Sequence, residues 1–314
     1  MGPTIEESRE ALTGGALIAL GAIAFSAKAI LIKLAYADST QIDAITLMTL
    51  RMLIALPFFL LAAVWGGGPG DQTRATRDWV ALLTLGIVGY YLAALLDFKG
   101  LEYIPAGLER LILFLYPTIV VLMTALLYRR PVSRPQRWAL VLSYAGILLV
   151  YAEHPHAASA NLTLGATLVF GSALAFAIFL TGSGHLIPRF GSRRFTAFSM
   201  ATACAATVVH FVATRPPQQA IEQLAVSSRM FALSTALALV CTVAPAFLMN
   251  AGIRRIGADR AAIIASIGPV ATLGLAYAVL HETLDPSQIA GSVMVLGGVL
   301  LVSLSRRTAQ TTRT

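Results

Sequence analysis

Two residues of opposite charge stand side by side in the stretch GLERLILFLYPTIVVL, residues 107–122. Glu109 and Arg110 are followed by apolar and aromatic residues that a single proline interrupts. In such surroundings a carboxylate and a guanidinium can pair with other buried groups or bind the opposite charges of a small ligand. Because successive residues of a helix point about 100° apart, we expect the two side chains to face different neighbours.

A third charged residue, Lys28, lies near the middle of another apolar stretch, between GAIAFSA and AILI. An ammonium so far from either end cannot easily extend to water, so it needs a polar cavity or a buried carboxylate. We therefore predict that Lys28 and Glu109 face the protein interior. Two interpretations stay open: both residues bind a ligand, or they form a structural ion pair. The other charged residues of the apolar stretches are predicted to be interfacial, structural or, for Arg51, paired with a carboxylate: Lys33, Arg51, Asp97, His185 and His210.

The composition indicates the solvent of this chain. Hydrophobic residues make up 57% of it and charged residues 12%, with a mean hydropathy of +0.76. A soluble protein has about 25% charged residues, so a lipid bilayer is the predicted environment. The net charge of +8 does not indicate nucleic-acid binding, because the basic residues are distributed among alternate loops. The two cysteines lie in apolar runs without metal-ligand spacing, which predicts buried apolar roles.

Ten apolar segments can be counted, and most are about 20 residues long, enough for a helix to cross a hydrocarbon core of about 30 Å. They are 12–34, 44–65, 79–98, 104–127, 135–151, 162–186, 195–214, 230–250, 258–280 and 286–305. The first could also be a signal peptide, since AIA at 22–24 resembles a cleavage site. The acidic residues before that segment and Lys28 within it favour a retained helix.

The loops predict the orientation of these helices. Sixteen Lys and Arg residues fall in the two termini and the even-numbered loops, against three in the odd-numbered loops. Cytoplasmic loops carry an excess of Lys and Arg, so both termini are predicted to be cytoplasmic.

An internal repeat organises the ten segments. A shift of 152 residues aligns GLEYIPAGLERLILFLYPTIVVL at 100–122 with GIRRIGADRAAIIASIGPVATLG at 252–274, and Pro117 with Pro269. A shift of 150 aligns LTGGA at 12–16 with LTLGA at 162–166. We predict an all-α integral membrane protein of two five-helix units, residues 12–151 and 162–305. An odd number of helices per unit gives the copies opposite orientations, as in inverted-repeat transporters.

Both units of the chain resemble a known family. The patterns GLEYIPAG…LYPTIVVL…AGILLVY and GIRRIGAD…IGPVATL…HETL…GGVLLVS are similar to the EamA unit of the drug/metabolite transporter superfamily. Within it the chain resembles bacterial YddG-type amino-acid exporters, which carry a carboxylate where this chain has Glu109. The resemblance implies ten helices, cytoplasmic termini, the bacterial inner membrane, a central cavity and export of amino acids.

Two sets of residues are predicted to form the site. A mixed polar and aromatic cavity wall is expected from Lys28, Tyr90, Tyr91, Glu109, Phe114, Tyr116, Phe176 and Asn250. Core packing is the alternative for each aromatic residue. Pro117 and Pro269 remove a backbone hydrogen bond in mid-membrane, which creates a hinge, a polar cavity ligand or a plain kink.

The predicted function is therefore transport by alternating access. An amino acid is the favoured substrate because it offers an ammonium to Glu109 and a carboxylate to Lys28. Alternatives are a nucleotide-sugar or multidrug carrier of the same superfamily, or an intramembrane enzyme. The sequence contains no HExxH, GxSxG or P-loop pattern and no Cys and His cluster at ligand spacing, so no catalytic residue, metal or cofactor is predicted. Internal duplication with ten helices favours a complete monomer.

Overall fold

A computed structural model describes residues 5–39, 42–65, 75–127, 129, 132–152, 160–283 and 285–311. Within these ranges every regular element is a helix. The first half contains α1 (Ile5–Asp38), α2 (Ala44–Trp65), α3 (Thr76–Gly86), α4 (Ala93–Gly100), α5 (Ala106–Leu113), α6 (Tyr116–Leu127) and α7 (Arg134–Ala152). The second contains α8 (Ala160–Phe190), α9 (Ser192–Ala213), α10 (Pro217–Leu224), α11 (Ser228–Ala238), α12 (Ala244–Ile256), α13 (Ala258–Ala265), α14 (Gly268–Leu280) and α15 (Pro286–Thr311).

Eight helical stretches of the described chain are long and apolar enough to cross a membrane. The predicted segments 135–151 and 286–305 also fall on helices, α7 and α15, but these two are not among the eight. The architecture is thus all-helical and multi-pass, and the count of ten spans stays a prediction. Three of the basic residues that were counted to predict the orientation lie outside the described residues: Arg74, Arg130 and Arg313.

Irregular features of the helices recur at a fixed spacing. A π-helical segment, Ile87–Leu92, joins α3 to α4, and a second, Leu239–Val243, joins α11 to α12 and begins 152 positions later. The break between α5 and α6, at residues 114–115, has its counterpart at residues 266–267, between α13 and α14. The same backbone irregularities therefore occur at equivalent positions of both halves.

Each break stands directly before a proline, so that the proline occupies the first turn of the following helix. Pro117 is the second residue of α6 and Pro269 the second of α14. Proline is tolerated at these positions because the first amides of a helix have no intrahelical acceptor. The structure thus contains two short helices in line at each place, rather than one helix with a proline in its interior.

The halves are in contact along their length, with α1 against α12 and α14, and α8 against α4 and α6. One contact crosses between them at a helix end. Glu282 accepts hydrogen bonds from the backbone amides of Ala106 (3.0 Å) and Gly107 (3.3 Å) at the start of α5. The residue before α5, Pro105, offers no capping side chain. A carboxylate of the second half therefore satisfies free amides of the first half.

Helices α7 and α15 pack with their backbones in contact. A Cβ added to Gly146 would lie 2.7 Å from the Gly291 carbonyl oxygen, and one added to Gly298 would lie 2.1 Å from Ser143 Oγ. Small residues permit this close approach in lipid, where apolar burial alone does not hold helices together. No described residue of either helix lines the central cavity described next.

Candidate functional site

A cavity of about 330 Å³ lies between the two halves. The first half contributes α1, α2, the segment from Ile87 to Gly100, and the residues around the α5–α6 break. The second half contributes α8, α9, the π-helical segment Leu239–Val243, α12 and the end of α13. Both π-helical segments therefore lie in the cavity wall, in agreement with the frequent occurrence of such segments at functional sites.

A buried ion-pair cluster lies on one side of this cavity. Lys28 Nζ is 2.5 Å from Asp97 Oδ2 and 3.4 Å from Glu109 Oε1. The three side chains are 8%, 3% and 0% exposed. Lys28 and Asp97 line the cavity, whereas Glu109 lies behind them. The ammonium thus has two carboxylate partners, as the structural interpretation of Lys28 and Glu109 requires.

Two arginines complete the charged part of the wall. The Arg110 guanidinium lies over the rings of Phe25 (5.0 Å) and Phe114 (5.4 Å), and that of Arg51 lies over Phe98 (4.8 Å). These are distances at which cation–π attraction is effective. Glu109 and Arg110 do face different neighbours, since Glu109 meets Lys28 while Arg110 meets the aromatic rings.

The rest of the wall is aromatic or small. The ring of Tyr116 packs edge-on against Phe176 (5.2 Å) and Phe114 (6.0 Å), and Tyr90 packs against Phe179 (4.8 Å). Ser172, Thr196, Met200, Cys241 and Thr242 of the second half add small or weakly polar surface. A ligand in this cavity would meet charge on the side of the first half and mostly apolar surface elsewhere.

The structure places five of the residues predicted for the cavity wall there: Lys28, Tyr90, Phe114, Tyr116 and Phe176. It places three elsewhere. Glu109 is behind Lys28, and Tyr91 points to α9, where its hydroxyl lies 2.6 Å from His210 Nδ1. Asn250 lines a second cavity instead. The physical reason for Tyr91 is rotation along the helix, since it lies about 100° around the helix axis from Tyr90 and is thereby directed to His210 of α9.

The sequence prediction missed Asp97, Arg51 and Arg110 as wall residues. Asp97 lies one residue before the end of the predicted segment 79–98, so an interfacial or structural role is expected for it. Its pairing with Lys28 agrees with a structural role. Spacing alone does not place it in the wall with Tyr90, because the π-helical segment Ile87–Leu92 changes the rotation between the two residues. Arg51 was expected to pair with a carboxylate, but among the described residues it forms no ion pair.

The two ends of the cavity differ. A second cavity of about 660 Å³, the vestibule, shares Phe59, Thr196 and Ala246 with the first and is lined by Arg193 and Arg254. At this end Arg189 pairs with Asp78. At the opposite end of the cavity, polar side chains near the end of α1 and the start of α2 contact polar side chains near the end of α9 and the start of α11. There Arg229 Nε is 3.1 Å from Asp38 Oδ1, Arg215 pairs with Asp43, and Arg215 Nε donates to Gln223 (2.5 Å).

In the described part of the chain, no three His, Cys, Asp or Glu side chains converge as they would to hold a metal ion. Cys204 and Cys241 are buried and free.

The fold and the cavity together define a multi-pass helical membrane protein with an internal, charge-lined cavity. The EamA-like transporter family matches residues 12–152 and again 163–304, and the chain belongs to this family, within the drug/metabolite transporter superfamily. It is 32% identical over 295 residues to the uncharacterized transporter YcbK of Bacillus subtilis, covering 94% of this chain and 92% of YcbK. An uncharacterized transporter of Archaeoglobus fulgidus is 25% identical over 292 residues, covering 92% and 95% of the two chains.

A solved crystal structure of a protein shares the fold, with a TM-score of 0.64 at 16% identity. The alignment covers 94% of this chain and 98% of the other. Family and relatives agree that this is a membrane transporter.

Proposed function

We propose that this transporter exports small polar metabolites, with amino acids as the favoured class, across the inner membrane by alternating access. It acts as a monomer without a cofactor, and both termini are cytoplasmic. Lys28, Tyr90, Phe114 and Tyr116 contact the substrate in the central cavity, and the breaks before Pro117 and Pro269 act as hinges.

The observation that carries this proposal is the wall of the central cavity, which combines buried charges of both signs with aromatic rings. Buried charges are costly in a membrane, by about 2.5–3.5 kcal/mol each even on the lenient insertion scale, and they mark substrate pathways. The volume of about 330 Å³ lies at the lower end of the range for ligand sites, roughly 300–1,000 Å³. It therefore favours a small metabolite over a nucleotide sugar.

The repeated irregular features of the helices support the proposal of two inverted units. The π-helical segments and the helix breaks are each repeated 152 positions apart. In an inverted arrangement, equivalent positions of the units lie at opposite membrane faces. Export is proposed from the resemblance to YddG-type exporters. The vestibule, whose Arg193 and Arg254 belong to the loops predicted to be cytoplasmic, is then the path by which substrate enters from that side.

The decisive experiment is counterflow in proteoliposomes with a panel of radiolabelled amino acids, using liposomes without protein as the control. We expect accumulation of at least one amino acid and none of a nucleotide sugar. Accumulation of the nucleotide sugar alone would refute the substrate class. A C-terminal reporter active only in the cytoplasm is expected from the proposed orientation, and activity only in the periplasm would contradict it.

A further inference from the structure

The charged groups around the cavity do not balance. Counted at their formal charges, Lys28, Arg51 and Arg110 contribute three positive charges, and Asp97 and Glu109 contribute two negative ones. Both carboxylates are in contact with Lys28. Neither Arg51 nor Arg110 forms an ion pair with any described residue. The cluster thus has one unmatched positive charge in surroundings of low polarity, where such a charge requires a partner.

The Arg110 guanidinium has an N–H donor without an acceptor among the described groups. The residue is 4% exposed, it lines the cavity, and its Nε has no hydrogen-bond partner among the described groups. Its one described hydrogen bond is long, from Nη2 to Ser26 Oγ at 3.4 Å. Phe25 and Phe114 hold the guanidinium on its flanks through their ring faces. The planar group is thereby fixed in position, while its donors lack acceptors.

Arg51 of α2 repeats these features in the wall of the same cavity. It is 6% exposed, lines the same cavity, and its Nε also lacks a described partner. Its guanidinium lies over Phe98. Two buried arginines with free donors in one wall form a site for an anion.

Three carboxylate oxygens beside Lys28 have no hydrogen-bond donor among the described groups: Asp97 Oδ1 in the wall, and Oε1 and Oε2 of Glu109 behind it. Asp97 Oδ2 is bound to Lys28, but Asp97 Oδ1 is buried without a hydrogen-bond partner. Lys28 cannot provide the anion site, because its ammonium already lies between two carboxylates.

From these contacts we infer that Arg110, supported by Arg51, binds the carboxylate of the substrate, and that Asp97 accepts from its ammonium. Arg110 is thus the residue that determines specificity for carboxylates. A guanidinium can donate two parallel hydrogen bonds to a carboxylate, which a lysine cannot do. The inference rests on the proposed function. It replaces the expectation from the sequence that the substrate carboxylate meets Lys28.

The structure offers a second way to disturb this site without removing the charge. A Cβ added to Gly268 would lie 2.7 Å from Arg110 Nη2, so Gly268→Ala displaces the guanidinium. Gly274 in the same helix α14 has nothing within 4 Å of an added Cβ, so Gly274→Ala is the matched control. Arg110→Gln removes the charge directly, and Gly268→Ala keeps the inference testable if Arg110→Gln does not fold.

The test measures binding by the purified full chain in detergent to three compounds of one shape: L-phenylalanine, 3-phenylpropanoate and L-phenylalaninamide. The phenyl group suits the aromatic wall. We expect the first two to bind and the amide, which lacks the carboxylate, to bind at least tenfold more weakly. Loss of charge-assisted hydrogen bonds predicts that Arg110→Gln raises the Kd of 3-phenylpropanoate about 10- to 100-fold. Gly268→Ala is expected to raise it several-fold, and Gly274→Ala to leave it unchanged.

Equal binding of the amide and the two carboxylates would overturn the inference, as would failure of 3-phenylpropanoate to bind the folded wild-type protein. An unchanged Kd in folded Gly268→Ala and Arg110→Gln would overturn it too. The proposed function fails separately, if carboxylates bind through Arg110 but no amino acid is transported in proteoliposomes. If amino acids are transported with equal efficiency by wild type and Arg110→Gln, the function stands and the inference falls.

Discussion

The two halves of the molecule share a helical framework but differ in the charge of their central residues. In the centre, the charged residues of the first half correspond to uncharged ones in the second. With the sequence shifts of 150 and 152, Lys28, Asp97, Glu109 and Arg110 correspond to Ile178, Met249, Ala261 and Ala262. Of the described residues lining the central cavity, those from the second half carry no charge. Duplicated backbones can therefore take separate roles, one recognising charge and the other enclosing the ligand.

At the two ends of the bundle the halves remain equivalent. Asp78 at the start of α3 pairs with Arg189 near the end of α8, and Arg229 at the start of α11 pairs with Asp38 at the end of α1. With a sequence shift of 151, Asp78 of the first pair corresponds to Arg229 of the second pair. Asp38 of the second pair corresponds in the same way to Arg189 of the first. Equivalence is thus retained where the halves meet at their ends, while the charged centre belongs to the first half alone.

The largest difference between the halves is expected from Lys28→Met. This change leaves Asp97 and Glu109 buried together without a cation, and breaking a buried ion pair from one side costs about 3–5 kcal/mol. Ile178→Met at the equivalent, partly exposed position is expected to cost less than about 1.5 kcal/mol. Thermal unfolding in detergent measures both. If adding Glu109→Gln to Lys28→Met restores no stability, the two residues are not energetically coupled.

A smaller effect, on transport rather than on folding, is expected from Tyr116→Ala. The substitution removes a ring from the cavity wall, where it packs against Phe114 and Phe176. We expect transport per folded molecule to fall about tenfold or more, the equivalent of roughly 1.4 kcal/mol. Tyr277→Ala removes an exposed tyrosine of the second half and is the control, with transport unchanged. Equal losses in both variants would show that Tyr116 has no special role in the cavity.

Effects on folding smaller than that of Lys28→Met are expected at the end pairs, and they should differ from each other. Arg189→Gln leaves the buried Asp78 without its cation, and a cost of about 1–3 kcal/mol is expected. Arg229→Gln removes a mostly exposed partner of Asp38, as in surface pairs of about 0.2–1 kcal/mol. Unfolding temperatures of the two variants, measured also at high salt, test the difference. A larger loss in Arg229→Gln would mean that burial does not set the strength of these pairs.

The sequence was sufficient for those features that depend on periodicity and composition. Eight of the apolar segments and the placement of Lys28 in the interior follow from such patterns. The two helix breaks lie close to Pro117 and Pro269, at residues 114–115 and 266–267. The choice of partners could not be predicted in the same way. Whether Lys28 meets Asp97, Glu109 or both depends on the rotation of three helices against one another. A π-helical segment adds one residue to a turn and changes that rotation, and no residue type in IVGYYL announces it.

The contact between α7 and α15 has a mechanical consequence. Movements of packed helices are hinges or small sliding shifts. If α15 slid along α7 by about one helical turn, residues three or four positions away would replace Gly146, Gly291 or Gly298 at points where only a hydrogen fits. We therefore expect these two helices to resist such a translation and to move together as one rigid unit. A conformational cycle of this protein is then expected to take place mainly in the remaining helices.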